Sequence, residues 1–158
     1  MLGRRSLLAV TLAVAAALPV AGRADDFGDR KITDDIGLAI VQRDIVIKTL
    51  NFCYQRVAQD NAYIQTRDAW YLRNATDIRL LDDAIARLGG IPPEDAKTID
   101  TATDRRVEGD MGAQPDQASF CRQFAATLNS GTSRDLSVGF RSSIYFRHIR
   151  EWMQKQQP

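Results

Sequence analysis

Residues 50–74, LNFCYQRVAQDNAYIQTRDAWYLRN, place a cysteine, aromatic rings and arginines in a stretch whose apolar residues recur at helical spacing. Before it, the same spacing extends back to Ile36; after it, Ile78 and Ile85 continue a repeat of seven. This pattern predicts two long helices that meet near Asp60, the second ending at Leu88. Apolar residues over so wide an arc need cover on more than one side, so the stretch belongs to the interior of a helical bundle.

The other segments indicate more helices and no strand. Gly89-Gly90 predicts the end of the second helix, and Pro93 predicts the start of a third one that is short or partly exposed. No period-two alternation of apolar residues occurs, so the predicted fold is an all-α bundle of four to five antiparallel helices. After the third helix, the pattern predicts a loop over residues 109–117 and a fourth helix over 116–128. It predicts a last helix over 134–156.

The first 24 residues have the three parts of an export signal: Arg4-Arg5, an apolar run from residue 7 to 18, and small residues up to Ala24. The run is shorter than the about 20 apolar residues that a transmembrane helix needs. We predict a cleavable signal peptide over residues 1–24, cut after Ala24 or after Ala21, and a single mature domain over 25–158. The mature protein is expected to be periplasmic or secreted, by the general secretory route rather than the twin-arginine route.

The charge of the mature chain argues against nucleic-acid binding. The full sequence has 21 basic and 20 acidic side chains; removing residues 1–24 removes Arg4, Arg5 and Arg23 and no acid, which leaves a net charge of −2. A nucleic-acid-binding domain usually carries a basic excess. We therefore expect no nucleic-acid partner.

Two cysteines, Cys53 and Cys121, follow the predicted signal. Exported proteins with two cysteines commonly pair them, whereas catalytic dithiols lie close in sequence, as in C-x-x-C. We predict a structural disulfide between them. In the chain-entropy model a bond closing so long a loop stabilises the fold by roughly 4 kcal/mol.

Polar residues interrupt the apolar stripes of the first two helices at Arg43, Arg67 and Asn74, next to Tyr71. A buried polar group without a partner costs roughly 1–3 kcal/mol, so each of these side chains needs one. The favoured interpretation is a polar network that fixes the register of the helices. The alternative is a pocket in which Arg43, Arg67, Tyr71 and Asn74 hold a small anion.

The last predicted helix combines aromatic and basic residues in an unusual proportion. Its predicted inward stripe is Val138, Tyr145, Ile149 and Trp152, which leaves other rings and arginines for a different face. Such a face suits a protein partner or an anionic lipid surface; the alternative is that its rings close the bundle. The candidate partner-binding residues are Phe140, Arg141, Phe146, Arg147, Arg150 and Trp152.

The sequence contains little that indicates catalysis. His148 is the single histidine, which argues against zinc, and no hydrolase, phosphate-loop or dinucleotide motif occurs. A hydrolase would have to combine His148 with Ser137 or Ser143 and a distant aspartate. An acidic ridge on the third predicted helix, formed by Asp100, Asp104 and Glu108, is interpreted as a solvated face. We expect no catalytic residues, no metal and no cofactor.

These observations favour a small exported protein that acts without catalysis, by binding a protein of the cell envelope. A toxin-immunity protein, an inhibitor or an accessory of envelope assembly fits this description. One alternative is a periplasmic binding protein for a small anion held by Arg43, Arg67 and Asn74. A further alternative is a hydrolase that uses His148.

Overall fold

The computed structural model describes residues 31–139 and 142–156. The predicted signal peptide and its cleavage site lie outside these residues, as do Phe140 and Arg141. Every regular element in the described ranges is helical, as the sequence predicts, and no strand occurs in them. The elements, in chain order, are α1 (Ile32–Phe52), a π-helical turn (Cys53–Ala58), α2 (Asn61–Arg73), α3 (Ala75–Arg87), α4 (Pro93–Gly112), α5 (Gln117–Ser130) and α6 (Ser142–Lys155).

Helix α1 is the centre of the molecule and contacts α2, α3, α4 and α6. Its wide apolar arc explains this position, because Ile36, Ile40, Val46 and Leu50 face different neighbours and are all buried. Helix α5 packs on the π-helical turn and α2, and α3 packs on α6. Among the described helices, none combines the length and the apolar character needed to cross a bilayer.

The predicted disulfide is present and ties α1 to α5. Cys53, the first residue after α1, is bonded to Cys121 of α5, with 5.7 Å between the two Cα atoms. Both cysteines are fully buried. A buried disulfide is compatible with an oxidising compartment outside the cytoplasm.

Local signals set several helix ends as predicted. The Asp60 side chain accepts a hydrogen bond from the backbone N–H of Ala62 at 2.9 Å and so caps α2. Gly89 and Gly90 take φ values of 86° and 96° after α3, a conformation that glycine adopts without strain. Pro93 is the first residue of α4, where its missing N–H costs nothing.

The helix count differs from the predicted four to five, because the described ranges contain six α-helices. The second predicted helix is two helices, α2 and α3, separated at Asn74, whose φ and ψ are −97° and 9°. Asn74 leaves helical geometry because its side chain binds groups far away in sequence, which helix periodicity does not register.

Helix α4 is longer than predicted. It continues to Gly112 and so includes the first four residues of the predicted 109–117 loop. The reason is that Val107 and Met111, four positions apart on the helix, both lie in the core. Most of its other residues are exposed, in line with the prediction of a partly exposed helix.

The last helix is shorter than predicted, since α6 begins at Ser142 and not at Arg134. Residues 132–139 instead form consecutive turns, here called the 132–139 segment, with Asp135 N–H bonded to Thr132 and Gly139 N–H to Asp135. A side chain at Gly139 would place its Cβ only 2.8 Å from Ser142 Oγ. The backbone oxygen of Asp135 would lie 3.1 Å from the same Cβ, so a larger residue would require Ser142 and the segment to shift.

Lys48 joins α1 to α4 through two acids of the predicted ridge. Its Nζ atom lies 2.5 Å from Asp100 Oδ1 and 2.6 Å from Asp104 Oδ1. Partial burial alone lowers the pKa of Lys48, but the hydrogen bonds and charge attraction of Asp100 and Asp104 outweigh that effect and raise the pKa above 10.5. The two acids are thus structural partners of Lys48 as well as exposed residues.

Replacing Lys48 with methionine is expected to lower the free energy of unfolding by about 1 kcal/mol near neutral pH. A raised lysine pKa contributes stability fully below the ordinary value of 10.5 and loses it as the pH rises through the folded-state value. The difference between wild type and variant should therefore shrink above that pH. Urea unfolding at about pH 7 and about pH 11.5 measures it. Lys97→Met, at an exposed position of α4, is the control; a Lys48 difference independent of pH would contradict the charge origin.

Candidate functional site

The junction of α2 and α3 is held by Asn74, which is 2% exposed. Its side-chain N–H groups donate to Trp70 O at 2.9 Å and to Asp135 Oδ1 at 3.2 Å. Its Oδ1 accepts the backbone N–H of Leu136 at 2.8 Å. The side chain therefore satisfies its own polar atoms and fixes the 132–139 segment against the end of α2.

Arg73 and Asp135 form the main ion pair of this junction. Arg73 Nη2 lies 2.8 Å from Asp135 Oδ1, and Arg73 Nε lies 2.9 Å from Asp135 Oδ2, so the contact is bidentate. The same guanidinium donates to Leu128 O at 2.9 Å. The hydrogen bonds that Arg73 donates to Asp135 raise the pKa of Arg73, against the opposing effect of burial and with help from charge attraction. Asp135 itself is buried.

Trp70 adds a third link between α2 and the 132–139 segment. The ring is fully buried, and its Nε1–H donates to the backbone oxygen of Arg134 at 3.2 Å. Burial with a satisfied N–H is the arrangement that makes tryptophan a strong anchor. Three successive residues of the segment, Arg134, Asp135 and Leu136, are thus each bound by α2 or by Asn74.

Apolar side chains are exposed around this rigid junction. Leu72 is 75% exposed, Val138 is 55% exposed and Tyr71 is 44% exposed. Tyr71 and Leu72 directly precede Arg73, and Val138 follows Asp135 and Leu136. We call these three residues the junction patch. Their neighbours in the chain, Arg73, Asp135 and Leu136, are held by the hydrogen bonds described above.

Three of the four residues predicted to surround an anion have separate partners. Arg43 Nε lies 2.8 Å from Asp44 Oδ1, and its Nη1 lies 3.7 Å from Asp82 Oδ1. Arg67 donates to Asn51 Oδ1 at 3.0 Å and pairs with Asp68 at 2.8 Å. Asn74 binds the 132–139 segment, and Tyr71 is exposed beside it. The arginines are paired with acids, in the manner of a structural polar network.

The residues predicted on the partner-binding face of the last helix occupy different environments. Phe146 is fully buried, so its assignment to an exposed face is corrected. The reason is that α6 starts at Ser142, which gives a buried stripe of Ser142, Phe146 and Ile149. Trp152 is partly buried and packs against the core. Arg147 and Arg150 are exposed, and Arg150 lies 3.3 Å from Asp77 of α3.

His148 has the distant aspartate that the sequence did not identify. Its Nδ1 lies 2.6 Å from Oδ2 of Asp35, which is fully buried in the first turn of α1. A carboxylate on Nδ1 is how hydrolases orient a catalytic imidazole. A hydrolase also needs a nucleophile and a cleft at the other nitrogen of the imidazole. The His148–Asp35 pair therefore does not decide the hydrolase alternative, which stays a prediction. The pair joins α1 to α6.

Comparison of the chain with protein families, with curated proteins and with solved structures finds no match. Within the described residues, no three His, Cys, Asp or Glu side chains are grouped so as to hold a metal ion. The functional interpretation therefore depends on the geometry of the chain itself.

Proposed function

We propose that the mature chain is a non-enzymatic periplasmic or secreted protein that acts by binding another protein of the cell envelope. Its binding surface is the junction patch, formed by Tyr71, Leu72 and Val138. A toxin-immunity protein, an inhibitor or an envelope-assembly accessory works in this way. The last helix, to which the sequence directs attention, contributes the exposed Arg147 and Arg150 as a second possible contact region.

The observation that supports this proposal is the exposure of Leu72, at 75%, on an immobilised backbone. Single exposed apolar residues are ordinary, but apolar groups that share one rigid site are typical of interaction surfaces. Ordering costs reduce affinity when a flexible surface binds. Here Arg73, Asn74 and Trp70 already fix the backbone, so a partner meets a preorganised surface.

Replacing Leu72 with aspartate is expected to weaken partner binding by at least about 30-fold, which corresponds to the loss of an interface hot spot of roughly 2 kcal/mol. A carboxylate in an apolar contact loses its water and finds no partner. Residues 25–158, oxidised and immobilised, serve as bait for an envelope extract, and captured proteins are quantified by mass spectrometry. Titration calorimetry with the purified partner then gives the affinity.

Two further variants make this test specific. Thr101→Asp adds the same charge at an exposed position of α4, far along the chain from the patch, and should leave capture unchanged. Arg147→Ala tests the last helix. Capture that is lost with Arg147→Ala and retained with Leu72→Asp moves the surface to α6 and contradicts the junction patch. Equal capture by all variants contradicts both locations.

A further inference from the structure

A groove runs along α1 and is separate from the junction patch. It consists of two cavities of about 380 and 390 Å³, which share Gln42, Ile45 and Arg134 in their linings. The first cavity extends toward the 132–139 segment, and the second extends between α4 and α5. Cavities of this size are in the range that holds small molecules. We call the pair the Arg134 groove, after the one charged residue among the three that both cavities share.

Arg134 is an exposed residue that lines both cavities of this groove. Its guanidinium carbon lies 4.9 Å from the centroid of the Phe124 ring, a cation–π contact. Phe124 in turn stacks on Phe120, with ring centroids 5.8 Å apart. The backbone of Arg134 is fixed by the Trp70 hydrogen bond. Both ends of the residue are thus positioned, which limits the entropy that a ligand would have to remove.

The guanidinium carbon of Arg134 lies over the Phe124 ring, and the N–H donors of this group form no ion pair with an acid of the described residues. A guanidinium presents its donors in the plane of the group, in a fork that matches a carboxylate. Across residues 31–139 and 142–156, no carboxylate forms an ion pair with Arg134. By contrast, Arg43, Arg67 and Arg73 each pair with an acid.

The other residues that line the groove indicate the charge and the polarity of a ligand that would bind to Arg134. Arg106 and Asp110 also line the second cavity, but they pair with each other at 2.8 Å, so Arg134 gives the lining a net charge of +1. The core side of the groove is apolar and includes Val46, Met111 and Leu136. One positive charge suits a monoanion, and the apolar side suits a hydrocarbon body.

We propose that the Arg134 groove binds a small amphiphilic monocarboxylate. The carboxylate accepts hydrogen bonds from the guanidinium N–H groups of Arg134, and Gln42, which lines both cavities, offers a side-chain amide as a further donor. The apolar body lies along Ile45 in one of the two cavities. This site differs from the predicted anion pocket at Arg43 and Arg67, whose arginines are already paired. It is also independent of the protein-binding proposal, since it shares no residue with the junction patch.

The test uses 4-phenylbutyrate as the probe and its neutral amide, 4-phenylbutyramide, as the matched ligand. Residues 25–158, oxidised and labelled with ¹⁵N, are titrated with each compound while amide chemical shifts are recorded. The carboxylate should bind about 10-fold or more tightly than the amide, because hydrogen bonds to a charged group are the strong ones. The shift changes should map to Gln42, Ile45 and Arg134.

Arg134→Gln should weaken carboxylate binding by about 10-fold or more and bring it close to that of the amide. Arg43→Gln, which removes a paired arginine of α1 outside the groove, should bind like wild type. Thr127→Trp gives a second, structurally mild route: Thr127 is exposed on α5 and lines the first cavity, so a large ring there should fill that cavity and reduce binding. Equal affinity for acid and amide, no loss with Arg134→Gln, or no binding at about 10 mM probe overturns the proposal.

Discussion

Replacing Asp135 with alanine is expected to lower the free energy of unfolding by about 3 kcal/mol and the melting temperature by about 10 °C. Asp135 is buried and accepts hydrogen bonds from Arg73 and Asn74. Removing one partner of a buried pair costs roughly 3–5 kcal/mol, because the remaining charge has been taken out of water. The lower end applies here, since the Arg73 side chain is 33% exposed and can turn partly to solvent.

Urea unfolding of residues 25–158 with the disulfide intact measures this change. Asp110→Ala is the matched control, because Asp110 pairs with Arg106 on the exposed surface of α4, where solvent screens the pair and its loss should leave stability nearly unchanged. Combining Asp135→Ala with Arg73→Ala completes a double-mutant cycle, in which the double variant should lose less than the sum of the single losses. Additive losses would show that the two side chains do not act as a pair.

The predicted parts of the fold are those with local chemical causes. Helical spacing identified α1, and Asp60, the pair Gly89-Gly90 and Pro93 marked helix ends, because capping and turn conformations depend on a few neighbouring residues. The disulfide followed from the predicted compartment and the number of cysteines. Each of these inferences needs only a short stretch of chain or its composition.

The break at Asn74 has a different origin. Its side chain is bound to Asp135 and to the N–H of Leu136, about 60 positions further on, and the free energy of those contacts outweighs the helix propensity of the surrounding residues. The same contacts stop residues 134–139 from forming the first turns of the last helix. One long-range network therefore accounts for two of the three errors of helix assignment, and the third, the length of α4, has its own cause in the burial of Met111.

The sequence correctly identified Asn74 as a polar residue that needs a partner, but it did not identify the partner. Asp135 lies in a segment for which the sequence predicts a helix, and its neighbours in the sequence do not distinguish it from an acid on the surface. Phe146 was misplaced for a related reason, because the buried face of α6 depends on where that helix starts. No sequence pattern pointed to Arg134 as a binding residue. The proposal for it depends on its contact with Phe124 and on two cavities, which are formed by residues distant in sequence.

Replacing both Cys53 and Cys121 with alanine is expected to lower the free energy of unfolding by roughly 4 kcal/mol. The two cysteines are 68 positions apart, so the bond closes a long loop in the unfolded chain and restricts its conformations. A domain of this size has a total stability of about 5–15 kcal/mol, so the loss is a large share of it. Alanine is preferred to serine because both positions are fully buried and a hydroxyl there would need a partner.

Urea unfolding of the oxidised wild type and the double variant measures the difference, and it also separates two explanations. If the bond acts on the unfolded chain, its removal lets that chain expand, so the dependence of unfolding free energy on urea should steepen as stability falls. Cys53→Ala alone should lose nearly as much as the double variant, since either change removes the same cross-link. A loss below about 1 kcal/mol would instead mean that contacts of α5 with the π-helical turn and α2 already hold it in place without the bond.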